Sequence, residues 1–219
     1  FATVIEPPPM FLSLSYLTQP SCPGACTGSA NYFFSGGAGN ETWNWQPGNL
    51  TNANSIYSVC AGSYTVTVTD NNGCTANDVF SLIDPSPIVA NITELHSISC
   101  AGLCDGGLLS SPTGGTPGGG ARYSGTQSTM GPGSGYAITW YPGSFISDSL
   151  LNICAGTYTV NITDANSCLK IDSFTIADPP VFNINATSQN ESCFGLNDGK
   201  AWVTPSGGTS PYFYSWSNG

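Results

Sequence analysis

The sequence predicts an all-β chain of tandem immunoglobulin-like antiparallel β-sandwich repeats, each carrying intradomain disulfides. Three observations predict it. The segment GSYTVTVTDNNGC, from Gly62 to Cys74, aligns without a gap over thirteen positions with GTYTVNITDANSC, from Gly156 to Cys168. Within both segments apolar and polar residues alternate with the period of a half-buried strand. Cysteines recur in matched sets, and 27 glycines with 16 prolines, in no collagen period, fit short strands joined by many turns.

The spacing of equivalent residues defines the repeats. Cys22 to Cys100 and Glu6 to Asp84 are each 78 residues, whereas Cys60 to Cys154, Cys74 to Cys168 and Asp84 to Asp178 are each 94. The second copy therefore carries its extra residues between Cys100 and Cys154. Trp45 follows Cys26 by 19 positions and Trp216 follows Asn197 by 19, but Trp140 follows Cys104 by 36, which places a 17-residue insertion before Trp140. The expected organisation is the tail of a preceding repeat at 1–8, repeat one at 9–86, repeat two at 87–180 with an inserted loop at 114–135, and the first part of repeat three at 181–219. Such lengths suit small domains in series rather than one large core. A chain running from FATVIEP to Trp216-Ser-Asn-Gly219 reads as a window cut from something longer.

Taken in order, each complete repeat carries a first cysteine pair, Cys22 and Cys26 or Cys100 and Cys104. A tryptophan follows, at Trp45, Trp140 or Trp216, and a residue kept at one register in every copy is expected to fill one core position; an exposed aromatic stripe for sugar stacking is the alternative. Tyr64, Val66 and Val68 then alternate with Thr65, Thr67 and Thr69, as Tyr158, Val160 and Ile162 do with Thr159, Asn161 and Thr163, so one face packs and the other meets water. Asp70-Asn-Asn-Gly73 and Asp164-Ala-Asn-Ser167 supply a turn whose Asx side chain bonds its own backbone. The last strand ends at Ile83-Asp-Pro85 or Ala177-Asp-Pro179, where proline stops the ladder and stiffens the joint.

Nine cysteines point to an oxidising, extracellular setting. Repeat three has Asn197 where the others have Cys26 and Cys104. That substitution favours Cys22 with Cys74 and Cys100 with Cys168 as the basic staple, and Cys26 with Cys60 and Cys104 with Cys154 as an optional second one. Four cysteines allow three connectivities, and the others stay open. Cys193 is then expected to pair beyond residue 219. Zinc is the rival reading, but no short Cys-x-x-Cys knuckle is present.

Composition excludes several function classes. Three Lys or Arg against thirteen Asp or Glu give a net charge of -10, which disfavours nucleic acid and anionic lipid surfaces. No run of 18 apolar residues occurs, so no direct membrane insertion by a helix is expected. A charged fraction of 7% with 40% apolar residues also separates the chain from acidic disordered tails.

The motif Cys193-Phe-Gly195, Asp198-Gly199, Gly207-Gly-Thr-Ser-Pro-Tyr212 and Tyr214-Ser-Trp-Ser-Asn-Gly219, together with Ala155-Gly-Thr-Tyr-Thr-Val160, Thr163-Asp164 and Cys168, resembles the SprB repeat of Bacteroidota cell-surface proteins. The resemblance covers practically the whole chain. It implies tandem extracellular modules of very large secreted adhesins, carried by a type IX secretion system, in cell adhesion and gliding motility. The second cysteine pair and the long insertion depart from the usual pattern.

The insertion, GGTPGGGARYSGTQSTMGPGSG from Gly114 to Gly135, holds the only arginine, Arg122, beside Tyr123. Loops on a rigid sandwich are where recognition usually resides, so Arg122, Tyr123 and Tyr136 are the candidate ligand-binding residues; glycine-rich loops are also cheap to lengthen without any function. The expected partners are neighbouring repeats of the same chain, with surface polysaccharide or other cell-surface proteins as partners of the loop. No catalytic residues are expected: His96, the only histidine, has no nucleophile motif around it, and Asp70 and Asp164 are equivalent turn residues. No cofactor is expected either. Calcium is the weaker alternative, through Asp105, Asp198, Glu6, Asp84 and Asp178, although no dense Asp-x-Asp-x-Asp loop exists. Asn40, Asn49, Asn91, Asn161, Asn185 and Asn190 begin N-glycosylation sequons that an Asn- and Thr-rich chain generates by chance, and Asp148-Ser149-Leu150 resembles a Bacteroidota O-glycosylation site at Ser149. The preferred expectation is a non-enzymatic adhesin stalk; a polysaccharide-binding module and accessory repeats of a secreted hydrolase are the alternatives.

Overall fold

A computed structural model describes residues 6–48, 53–117 and 135–217. Strands β1 (Phe11–Thr18), β2 (Gly28–Ser35) and β4 (Ser55–Val59) form one sheet in the order β1-β2-β4, and β3 (Thr42–Gln46), β5 (Gly62–Thr69) and β6 (Thr75–Leu82) form a second in the order β3-β5-β6. All of these pairings are antiparallel. This is the A-B-E and C-F-G arrangement of an immunoglobulin sandwich without its D strand. The pattern recurs in β7 (Ile92–His96), β8 (Gly106–Ser110), β9 (Ala137–Tyr141), β10 (Ser149–Ile153), β11 (Gly156–Thr163) and β12 (Leu169–Ile176), with orders β10-β8-β7 and β12-β11-β9. β13 (Asn183–Gln189) and β14 (Lys200–Ser206) form a two-stranded antiparallel ladder.

The chain divides into two compact units. Unit 1 comprises Phe1–Val89, Gly114–Gly119 and Thr163–Leu169, and unit 2 comprises Ala90–Thr113, Gly120–Ile162 and Lys170–Gly219. Unit 1 thus gathers the first sandwich with two loop segments from the second repeat.

Alternation becomes burial in both sandwiches. Tyr64, Val66 and Val68 are buried along β5 while Thr65, Thr67 and Thr69 are half-buried, and Val160 and Ile162 are buried along β11. Trp45 is fully enclosed; its ring meets Tyr32 and Phe80 edge-on with centroids 5.7 and 6.1 Å apart. Each such pair adds about 0.5–1.5 kcal/mol beyond the area it buries. The indole N–H of Trp45 donates to the Ala53 carbonyl at 2.9 Å, and that of Trp140 donates to the Ser147 carbonyl at 3.1 Å, so one polar tether is kept in both repeats. Tyr32 donates its hydroxyl to Asp78 at 2.8 Å, and burial, reinforced by that carboxylate, pushes its pKa up. Trp216 differs from the other two tryptophans. It is 46% exposed, beside a ladder of only two strands rather than between two sheets.

The end of each sandwich next to the second cysteine pair is built tightly. The hydroxyl of Tyr64 donates to the Cys60 carbonyl at 2.9 Å, and that of Tyr158 to the Cys154 carbonyl at 3.0 Å. A tyrosine at the start of strand F reaching back to the backbone just upstream is the tyrosine corner of immunoglobulin-like folds. β4 and β10 each bulge here, with Ser58 and Asn152 in the left-handed region at φ 55° and 56°. A Cβ on Gly28 would stand 2.7 Å from Leu82 Cδ1 and 2.9 Å from the Val59 carbonyl oxygen, and one on Gly106 would stand 2.5 Å from Ile176 Cδ1. Only glycine lets β2 and β8 start this close to the opposite strand. Beside these starts run the intradomain disulfides Cys26–Cys60 and Cys104–Cys154.

Candidate functional site

The remaining cysteines occupy two kinds of turn at opposite ends of each sandwich. The lower turn has the sequence Ser-Cys-x-Gly, in Ser21-Cys-Pro-Gly24, Ser99-Cys-Ala-Gly102 and Ser192-Cys-Phe-Gly195. In every copy the cysteine carbonyl accepts a hydrogen bond from the amide three residues on, at 3.0, 3.0 and 3.2 Å, and the glycine takes a positive φ of 73°, 81° and 80°. Pro23 at the second turn position and glycine at the third are what a type II turn requires. A side chain six residues further on braces the serine: Ser21 N–H donates to Thr27 Oγ1, while both Ser99 and Ser192 donate from backbone and hydroxyl to Asp105 and Asp198. Those serine hydroxyls, followed by their amides, hold the Asp105 and Asp198 carboxyls below the usual carboxylate range. The boundary acids close the turn, with Gly24 N–H donating to Asp84 at 2.9 Å and Gly102 N–H to Asp178 at 3.2 Å.

The upper turn is organised by one aspartate. Asp70 Oδ1 accepts from the amides of Asn72 and Cys74 at 3.0 and 2.9 Å, and its Oδ2 accepts from the Ala38 amide at 2.9 Å. The Ala38 amide is the chief cause holding the Asp70 carboxyl below its usual value, with Cys74 and Asn72 adding to it. Asp164 repeats the arrangement with Asn166, Cys168 and Thr116. The sequence shows the Asx turn; the reach to a second loop needs the folded chain.

The structure corrects two expected pairings. Cys22 is bonded to Cys168, with Cα atoms 5.6 Å apart, and not to Cys74; Cys100 is not bonded to Cys168, and Cys74, Cys100 and Cys193 are exposed free thiols. The reason is the length of the strands. Cys22 lies with Asp84 beyond the far end of β6, and Cys74 precedes the first residue of that strand. Eight residues of strand span about 26 Å, against the roughly 7 Å between Cα atoms that a disulfide tolerates. β12 separates Cys168 from the Cys100 turn in the same way, since that turn is bonded to Asp178. The Cys22–Cys168 bond lies within unit 1, where Asn166 Nδ2 also donates to the Ser21 carbonyl at 3.1 Å and to Thr116 Oγ1 at 3.1 Å.

The candidate ligand-binding residues are not brought together as a site. Arg122 and Tyr123 lie outside the described residues, and Tyr136 is 5% exposed, a core side chain with no ring face for a ligand. Ser149 opens β10 half-buried, its amide donating to Ser147 Oγ. His96 is an exposed strand residue whose ring lies against Gly107. Of the acids weighed for calcium, Asp84, Asp105, Asp178 and Asp198 are engaged in the lower turns, and among the described residues no group of three or more His, Cys, Asp or Glu is placed to hold a metal ion. No described helix is long and apolar enough to cross a membrane. A groove of about 440 Å³ on the first sandwich, lined by Ser15, Asn31, Phe34, Glu41, Trp43 and Asn54 among others, has no signal in the sequence, because its residues come from four separate stretches.

A family model described as the SprB repeat matches residues 185–219. That stretch is similar to the SprB repeat. The matched stretch contains β14, the Cys193 turn and Trp216, and repeats one and two carry equivalent turns and tryptophans. No curated protein matches the chain. Among solved structures it is similar to the crystal structure of DIP-gamma IG1+IG2, at 11% identity and a TM-score of 0.32 over 75% of this chain and 95% of that one. It is also similar to the crystal structure of Dpr11 IG1 bound to DIP-gamma IG+IG2, at 10% identity and a TM-score of 0.27 over 75% and 97%. The immunoglobulin-like character of the two complete repeats rests on their strand order and the tyrosine corner.

Proposed function

We propose that this chain is an extracellular stalk segment of a giant cell-surface adhesin, built from sandwiches with boundaries at 86/87 and 180/181. The observation that carries the reading is the SprB repeat at residues 185–219 together with the internal repetition of its turns. The mechanism is mechanical and multivalent. Disulfide-clamped sandwiches and proline-bearing joints set reach, and repetition raises avidity for whatever the parent protein grips. The sparsely charged, turn-rich sequence and the cysteine usage suit secretion to the outside of the cell, in surface attachment and gliding. The chemistry is that of a scaffold and not of an enzyme.

The test is a substitution of architecture. In the parent protein, residues 9–180 are exchanged for unrelated immunoglobulin-like domains of equal length, and attachment of surface-coated beads to cells is counted. Attachment that persists fits a spacer; attachment that disappears while the protein still reaches the surface makes these repeats the binding element and overturns the stalk reading.

A further inference from the structure

Every free cysteine in the described chain belongs to one of the two turn types that the structure already shows bonded to each other. Cys100 and Cys193 are lower-turn cysteines like Cys22, and Cys74 is an upper-turn cysteine like Cys168. The second pair in each complete repeat is consumed internally by Cys26–Cys60 and Cys104–Cys154. We propose that Cys74, Cys100 and Cys193 are the open ends of a head-to-tail disulfide chain, in which the lower-turn cysteine of one SprB-type repeat bonds the upper-turn cysteine of the next.

Two features make the unpaired turns equivalent to the paired ones rather than merely similar in sequence. Backbone geometry is the same: the Cys100 and Cys193 turns repeat the hydrogen bond and positive-φ glycine of the Cys22 turn, and Asp70 grips Cys74 as Asp164 grips Cys168. The recognition contact is also available. Asn166 donates to the Ser21 carbonyl beside the formed bond, Asn72 stands at the same place in the upper turn of repeat one, and Ser99 and Ser192 stand where Ser21 does. Direction follows from the bond observed: Cys22 of the earlier repeat takes Cys168 of the later one. Cys100 and Cys193 therefore each take an upper-turn cysteine from a repeat after their own, and Cys74 takes a lower-turn cysteine from a repeat before it. Closure oxidises two thiols. A thiolate attacks a small-molecule disulfide such as oxidised glutathione, releasing one thiol; the second cysteine thiolate then displaces the other, so two electrons and two protons pass from the cysteine pair to two glutathione molecules. The inference concerns how repeats are linked and is independent of what the array adheres to.

The test uses the 219-residue chain, with a second copy standing in for the neighbouring repeat. The reduced protein is oxidised at high concentration with oxidised glutathione, separated on non-reducing gels and mapped by mass spectrometry of disulfide-linked peptides. The expected result is intramolecular Cys22–Cys168 plus a ladder of linked copies in which Cys74 is joined to Cys100 or Cys193. Cys74→Ser, which leaves the amide gripped by Asp70 in place, should abolish the ladder while the Cys22–Cys168 peptide persists. The proposal is overturned by Cys22 pairing with Cys74, by Cys74–Cys74 and Cys100–Cys100 links as abundant as the mixed ones, or by all three thiols remaining open to alkylation.

Discussion

Repeat one and repeat three begin with the same motif and end in different physical states. In both, a Ser-Cys-x-Gly turn is braced by a side chain six residues on and joins two antiparallel strands. Around repeat one, however, the second sheet closes over Tyr32, Trp45 and Phe80, whereas in the described part of repeat three Ile184 and Trp216 stay 64% and 46% exposed along an apolar groove of about 270 Å³. The turn and ladder are thus locally encoded. The core is not, because strand F with its alternating Tyr-Val-Val face supplies half of it.

Three measurements bear on that contrast. The largest effect is expected from the tryptophans: Trp45→Ala should cost about 3–5 kcal/mol of unfolding free energy by cavity formation, while Trp216→Ala, at an exposed site, should stay within about 0.5 kcal/mol. Urea unfolding followed by near-ultraviolet circular dichroism reads both; equal effects would mean that Trp216 packs as Trp45 does. Next comes the second disulfide, which repeat three lacks because Asn197 stands in its place. Replacing Cys26 and Cys60 together by serine opens a 34-residue separation and should cost about 2–4 kcal/mol, visible as a fall in Tm of the oxidised protein, in which Cys22–Cys168 stays closed. The smallest effect belongs to the upper-turn aspartate. The amides of Ala38, Cys74 and Asn72 hold the Asp70 carboxyl below its unfolded value, so its contribution is complete above about pH 4 and is lost as pH falls through the lowered folded value. Asp70→Asn should weaken repeat one at pH 7 and flatten the acid limb of its stability curve; an unchanged limb would show that the carboxylate is not what ties the two loops.

Much of this fold is readable from residues. Val66, Val68, Val160 and Ile162 lie on the buried face that their alternation assigns them, and the tandem all-β architecture follows from the gapless repeat of strand F. The cysteines of a repeat are not a closed set of four, since Cys22 of repeat one bonds Cys168 of repeat two. A signal of this is present: Cys22 and Cys26 are four residues apart, so a bond from Cys26 to Cys60 puts Cys22 at the near end of β5, and that strand carries Cys74 to the far end. Tyr136 lies in the core rather than on a binding loop for another reason. It follows a glycine-rich loop in sequence, but its side chain enters the core just before β9, a tertiary choice that no local pattern displays.

The Cys22–Cys168 bond has one more consequence, for survival outside the cell. It spans a sequence separation of 146 residues that contains the whole glycine-rich insertion. A peptide bond hydrolysed between the two cysteines leaves a continuous covalent route from the N-terminal to the C-terminal side of the cut, through sulfur. An oxidised strand can therefore be nicked in that loop without being severed, whereas the same cut in a reduced strand releases everything beyond it.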